Sequence, residues 1–255
     1  MKAAATDLGT FGWVDRTGGQ LSLAERRSLL RPVAWAHAAN AAGRLSMLVR
    51  LNSGRRARLA PALLVPPSSA LTRAAVEHAQ RRLTPAVLNH SYRTFMFGAA
   101  IGALEGLTVD AELLFAAALL HDTGLPISGQ KVDFTRGSAR IARDVAEGVG
   151  LSSAATETIS NAITLHLNPN VPLASGPVPY LLAAGAGLDV VGLRSWQLPP
   201  DLLGWVVEQH PRLGFKGEFI AASRTEAARV PRGRVQFLRR YGAFDIAIQL
   251  APFRG

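Results

Sequence analysis

Residues 113–120, LLFAAALL, run for eight positions without a polar side chain and end directly on His121 and Asp122. A run of this length, like FMFGAAIGAL at 95–104, falls well short of the ~20 residues that a membrane span needs. Both read as buried helices. Burying an imidazole or a carboxylate without a partner costs about 1–3 kcal/mol or more, so the pair at the end of the run requires either hydrogen bonds or a cation.

No stretch of the chain shows sustained strand alternation, whereas helical periodicity and helix punctuation recur through most of it. The expected fold is all-α. At 255 residues the chain fits one domain, or one domain with an appendage. LSLAERRSLL and PVAWAHAANAAGRLSMLVRL read as two N-terminal helices, and the prolines of LVPPSSA mark a boundary near residue 66. Residues 1–65 are thus expected as a helical N-terminal extension and residues 66–255 as the main domain. A serine N-cap opens SSALTRAAVEHAQRRL, Thr84-Pro85 starts the next helix as N-cap and N1, and Asp110 caps AELLFAAALLHD, which Gly124 ends. Further helices are expected at 136–149, 152–167, 178–192 and 200–209, and over GEFIAASRTEAARV and RVQFLRRYGAF.

Hydrophobic residues at 48% and charged residues at 18% describe a chain that folds rather than a disordered one. The absence of cysteine excludes disulfides, a thiolate nucleophile and any cysteine-bound metal. The net charge of +10 (28 minus 18) raises the question of nucleic acid. The arginines are scattered, with Arg55, Arg56 and Arg58 as the densest group, and no aromatic stripe accompanies them as a stacking platform would require. A solvated basic face is the better reading. MKAAATDLGT carries no apolar segment of the secretory kind, so a cytoplasmic protein without a membrane partner is expected; homo-oligomerisation stays open.

The polar residues inside the apolar helices carry the functional signal. His90 shares a helical face with Phe97, Ile101 and Leu104, and His166 shares one with Ile159, Ala162 and Ile163. Asp189 sits in LLAAGAGLDVVG, where Gly185, one turn earlier, would let another backbone or a ligand approach closely. Each residue alone reads as a core histidine or a capping aspartate. Together, four apolar helices deliver His90, His121, Asp122, His166 and Asp189 to the interior, which is how helical bundles build metal sites. Two nitrogens and two carboxylate oxygens suit one divalent cation, zinc first, with iron(II) or manganese(II) as alternatives, and two carboxylates would neutralise its charge. The glycines of LLAAGAG and GVG are not phosphate loops, because no GK[ST] follows. Ser91 lacks the elbow of a serine hydrolase, and His37, His78 and His210 lack companions at ligand spacing, which makes them surface or core fillers.

His90, the dipeptide His121-Asp122 and the later Asp189 resemble the H…HD…D signature of the HD-domain superfamily of metal-dependent hydrolases. The segments PSSALTRAAVEHAQRRLTPAVLNHSYRTFMFG, LLHDTGL, RGSARIARDV, AITLH, LDVVGLR and PRLGFKGEFI resemble, in this order, its cyanamide hydratase-like branch over roughly residues 66 to 225. The resemblance implies a helical HD bundle in which His90, His121, Asp122 and Asp189 hold one metal. Two-metal members carry two further histidines between HD and the last aspartate, and this chain has only His166 there, so a mononuclear site is expected, with Asp122, His166 and Arg93 as catalytic candidates. Hydration of a small neutral molecule, cyanamide to urea, is the activity the resemblance implies. Hydrolysis of a phosphomonoester or nucleotide, with Arg93, Lys131 and Arg136 as cations for the phosphate, is the alternative. A non-catalytic or nucleic-acid-binding scaffold is the third reading.

Overall fold

Side chains that accept hydrogen bonds from the first free N–H groups set where most helices begin. In a computed structural model the described residues are 7–126 and 131–254; the first six residues of MKAAATDLGT lie outside them. Thr10 caps α1 (Phe11–Thr17), and Ser22 forms a capping box with Glu25 at the start of α2 (Leu23–Leu48). Sequence punctuation divides this second segment into two helices at Pro32, but the structure runs one helix through it. Pro32 removes one N–H, and the carbonyl it leaves, that of Ser28, belongs to an exposed residue that water can serve.

Ser69 caps α3 (Ala70–Arg82), Thr84 with Pro85 at N1 opens α4 (Pro85–Leu104), and Asp110 caps α5 (Ala111–Leu120). Asp133 and Ser152 do the same for α6 (Phe134–Gly148) and α7 (Ser153–Leu165). Pro177 begins α8 (Pro177–Val191), and α9 (Pro200–Gln209), α10 (Phe215–Arg229), α11 (Arg234–Tyr241) and α12 (Phe244–Gln249) complete the chain. No strand occurs among the described residues, and none of their helices is long and apolar enough to cross a membrane. The fold is all-α.

The LLFAAALL run becomes the centre of the bundle. Leu114 to Leu120 are all buried, and α3, α4, α6, α7 and α8 surround α5. A helix apolar all round has to be enclosed in this way. The most extensive contact in the molecule joins α4 to α8, and two glycines permit it. A Cβ on Gly185 would lie 2.1 Å from the Thr94 carbonyl oxygen, and one on Gly98 would lie 2.7 Å from that of Leu181. Position 94 therefore meets 185 while 98 meets 181, so the helices run antiparallel and His90 lies level with Asp189.

The N-terminal segment packs on the same body. Leu8, Trp13, Val14, Leu21, Leu29 and Val33 share a buried cluster with Phe237 of α11, and the Leu21 N–H donates to the Arg232 carbonyl at 2.9 Å. Arg234, fully buried, donates to Asp133 Oδ2 at 3.0 and 3.1 Å and lies 5.5 Å from the centre of the Trp13 ring. One guanidinium thus ties α1, α6 and α11 together.

Candidate metal centre

His90 projects from the second turn of α4, and His121 and Asp122 follow the last turn of α5, where Gly124 holds the chain close to α6. A Cβ on Gly124 would lie 2.2 Å from the Phe134 carbonyl oxygen. The ligand-type atoms of His90, His121 and Asp122 all lie within 4.8 Å of one another. The two imidazole Nε2 atoms approach to 3.2 Å, and they stand 3.6 Å (His90) and 3.4 Å (His121) from Asp122 Oδ2.

The protons on these rings are set by what lies behind them. His121 Nδ1 is 2.6 Å from the Ala118 carbonyl, which can only accept, so that nitrogen carries the proton. His90 Nδ1 likewise faces Asp189 Oδ2 at 2.7 Å. Both rings therefore present an Nε2 lone pair toward each other and toward a carboxylate. Neither oxygen of Asp122 accepts a hydrogen bond, although the residue is 1% exposed. Three acceptors facing one point with no donor between them are mutually repulsive, and a divalent cation removes the conflict. Two imidazoles and one carboxylate with outer hydrogen bonds to the rings are also the donor set of catalytic sites that keep a coordination position open. The residues fit a cation.

Asp189 stands outside this cluster. Its Oδ1 accepts from Arg93 Nε at 2.8 Å and Arg212 Nη1 at 2.7 Å, while Oδ2 accepts from Arg93 Nη2 at 2.9 Å as well as from His90. Four donors fill the four lone-pair directions of the carboxylate. Burial alone would raise its pKa, but the Arg93 charge and the His90 and Arg93 hydrogen bonds, with Arg212 beside them, hold it far below the usual carboxylate range. Sequence reading had both carboxylates neutralising the cation; in the structure two guanidiniums already match the charge of Asp189.

His166 follows α7 with its ring perpendicular to that of His121, centroids 4.9 Å apart. Its Nδ1 lies 2.5 Å from the Ile163 carbonyl and so carries a proton, which leaves Nε2 as an acceptor on the wall of the cavity. Burial and the neighbouring His121 push its pKa well below the usual imidazole value. Arg93 is fully buried and donates its remaining hydrogen bonds to the His210 and Pro211 carbonyls at 2.8 and 3.3 Å; it does not line the cavity. Arg136 pairs with Asp15 at 2.8 Å, and Lys131 is exposed. None of the three cations named for a phosphate reaches the site. Arg212 was not singled out by sequence reasoning, although it lies in PRLGFKGEFI, and Phe215 of the same segment stacks on His90 at 4.7 Å. His37, expected as a filler, lines the cavity.

The HD domain family matches residues 87–203, a span that begins three residues before His90 and ends beyond Asp189. The chain carries an HD domain. Two cyanamide hydratases of Saccharomyces cerevisiae, DDI2 and DDI3, are each 28% identical to the chain over 183 residues, which cover 69% of this chain and 81% of the yeast protein. Together with the cluster of His90, His121 and Asp122, the HD domain makes this a metal-dependent protein of the hydrolase or hydratase type.

Proposed function

We propose that this HD domain hydrates a small uncharged molecule of the nitrile type, with cyanamide to urea as the reaction to test first. The observation that carries the reading is the pair of buried, partnerless oxygens of Asp122 facing two imidazole lone pairs, a site that demands a cation and leaves room beside it. The likeness to two cyanamide hydratases supports the substrate class.

In this reading His90 Nε2, His121 Nε2 and Asp122 hold the cation, zinc being the first choice by donor type. Asp189 acts through His90, fixing its tautomer and ring orientation as the anion behind a metal-binding histidine does. A divalent cation in such a site supplies Lewis acidity that lowers the pKa of a water from about 15.7 toward about 7. His166 Nε2, an acceptor at rest, takes a proton from the attacking water and returns it to the nitrile nitrogen. In this reading His166 acts as a base before it acts as an acid. Phosphoryl transfer is the weaker alternative: among the described residues, the charged side chains lining the cavity apart from Asp122 are Glu105 and Arg194, which pair with each other.

Elemental analysis of the purified protein is expected to give close to one divalent metal per chain, and incubation with cyanamide is expected to release urea. Phosphate release from nucleotides or phosphomonoesters without any urea would overturn the reading.

A further inference from the structure

The cation site opens into a cavity of about 540 Å³, within the range that takes a drug-sized ligand. Cyanamide has three heavy atoms and fills on the order of 100 Å³ at about 30 Å³ per water-sized group. A site built for cyanamide alone would leave most of this space to water.

The shape of the cavity follows from the helices around it. One face of α8 forms the floor, and its residues are small: Ala183, Ala184, Ala186 and Gly187, with Val190 toward the cation site. The roof comes from α2 of the N-terminal segment through Val33, Ala36 and Ala39. At the reacting end lie His90, His121, Asp122 and His166; at the other end lie Glu105 and Tyr180. Tyr180 donates to Glu105 Oε1 at 3.1 Å, Arg194 donates to both, and Arg194 Nε donates to Gln197 Oε1 at 2.7 Å. This far end is polar but internally paired and without net charge.

From Asp189 to Tyr180 is nine residues, or about 14 Å of α8, and from His90 to Glu105 is fifteen residues, or about 22 Å of α4, at ~1.5 Å per residue. Between α2 and α8 the walls are mostly aliphatic, with His37 and Asn40 of α2 among them, while Asn168, Trp196, Phe219 and Phe244 line other parts of the cavity.

We propose that the substrate is an elongate, uncharged organonitrile or N-substituted cyanamide, with its nitrile at the cation site and an apolar tail lying between α2 and α8 toward Tyr180. The inference rests on the reading of the cation site as the reacting end. Hydration then runs R–C≡N + H2O → R–C(O)NH2: a C–O bond forms and one C–N π bond breaks as one water proton passes through His166 to nitrogen, giving the imidic acid R–C(OH)=NH, and its O–H proton then moves to nitrogen as the second C–N π bond gives way to the C=O bond. The N-terminal segment is part of the substrate site, and α2 sets how long and how wide a tail is accepted.

The test separates the tail subsite from the chemistry by using unreactive product amides as well as nitriles. Calorimetry of the metal-loaded protein with n-alkyl amides of rising length is expected to show affinity growing about fourfold per methylene, as burial of one CH2 predicts, until the tail meets the Tyr180 end and the gain stops. Ala183→Phe, six residues from Asp189 on the cavity floor, is expected to end the gain several carbons earlier, and Ala36→Phe on the roof is a second variant at a partly exposed position. Both variants are checked by circular dichroism for native helicity. The same length dependence is expected in kcat/KM for n-alkyl nitriles. Amide affinity independent of tail length, or a length profile that neither folded variant changes, overturns the proposal whatever the enzyme does to cyanamide. If length-dependent binding is seen but no nitrile of any length is hydrated, the tail subsite stands and the reaction reading fails.

Discussion

Replacing Asp122 by asparagine is expected to change the sign of its effect on stability according to whether the cation is present. In the metal-free protein Asp122 is a carboxylate at 1% exposure whose two oxygens accept nothing, with only imidazole nitrogens nearby at 3.4 and 3.6 Å. An uncompensated buried charge costs on the order of several kcal/mol after relaxation. One feature reduces that figure here: Arg93 and Arg212 leave one unmatched positive charge around Asp189. A residual cost of about 2 kcal/mol is a reasonable magnitude. Asparagine removes the charge, and its amide N–H groups face the two Nε2 lone pairs. Metal-free Asp122→Asn protein is therefore expected to melt about 4–8 °C above metal-free wild type, at ~2–4 °C per kcal/mol for a chain of this size.

With metal the order reverses. Cation at a thousandfold its Kd stabilises the wild type by about 4 kcal/mol by mass action, and the variant, lacking the one anionic donor, loses most of that. Differential scanning calorimetry of both proteins, with chelator and with excess zinc, reads the four midpoints. A metal-free variant that melts below metal-free wild type would refute the reasoning, because Asp122 would then have a stabilising partner within the protein and its bare oxygens would not signify a cation site.

His166→Ala is expected to keep the metal, by elemental analysis, while hydration falls about 10²–10⁴-fold, the usual contribution of a positioned proton-transfer group; a metal-free variant would make His166 a ligand. Asp189→Asn leaves Arg93 and Arg212 buried without their anion and is expected to cost about 3–5 kcal/mol, read by urea denaturation. If that variant stays folded, it is expected to retain metal at reduced affinity, whereas a complete loss would make Asp189 a direct ligand. Gly185→Ala places a methyl 2.1 Å from the Thr94 carbonyl and is expected to cost about 1–3 kcal/mol and to weaken metal binding by moving α8 and Asp189 away from His90.

What the sequence made legible was mostly local. The serine before α3, Thr84 and Asp110 each accept the hydrogen bonds that start their helices, and the apolar face around His90 told which way the imidazole points. Gly185 was readable as a close-approach position because a glycine inside an apolar helix needs a packing reason, and the Thr94 backbone supplies it. Helix α6 begins at Phe134, two residues before the expected start, because Asp133 caps it, and one long helix crosses Pro32 where two were expected. The pairing of Asp189 with two arginines was not legible. Arg212 lies 23 positions away in a segment with no helical periodicity, and nothing local distinguishes a guanidinium that turns inward from one that faces water. The part played by α2 was hidden for a similar reason, since a cavity wall made of Ala36 and Ala39 carries no chemical signature of its own.

The arginines behind Asp189 also bear on which substrates the site favours. Around it the buried formal charges of Arg93 and Arg212 balance those of Asp122 and Asp189, two against two, before any cation enters. A divalent cation then makes the site positive, not neutral. Such a site gains most from a reaction in which negative charge appears only on the way to the transition state, on the attacking oxygen and the nitrile nitrogen, because interactions that strengthen after binding are the ones that raise the rate. A phosphate dianion would collect much of the same attraction in its ground state and hold it there. The excess of positive charge therefore favours an uncharged substrate for a kinetic reason, and it does so from behind the cation, through Asp189 and His90, without placing a cationic side chain in the path of an apolar tail.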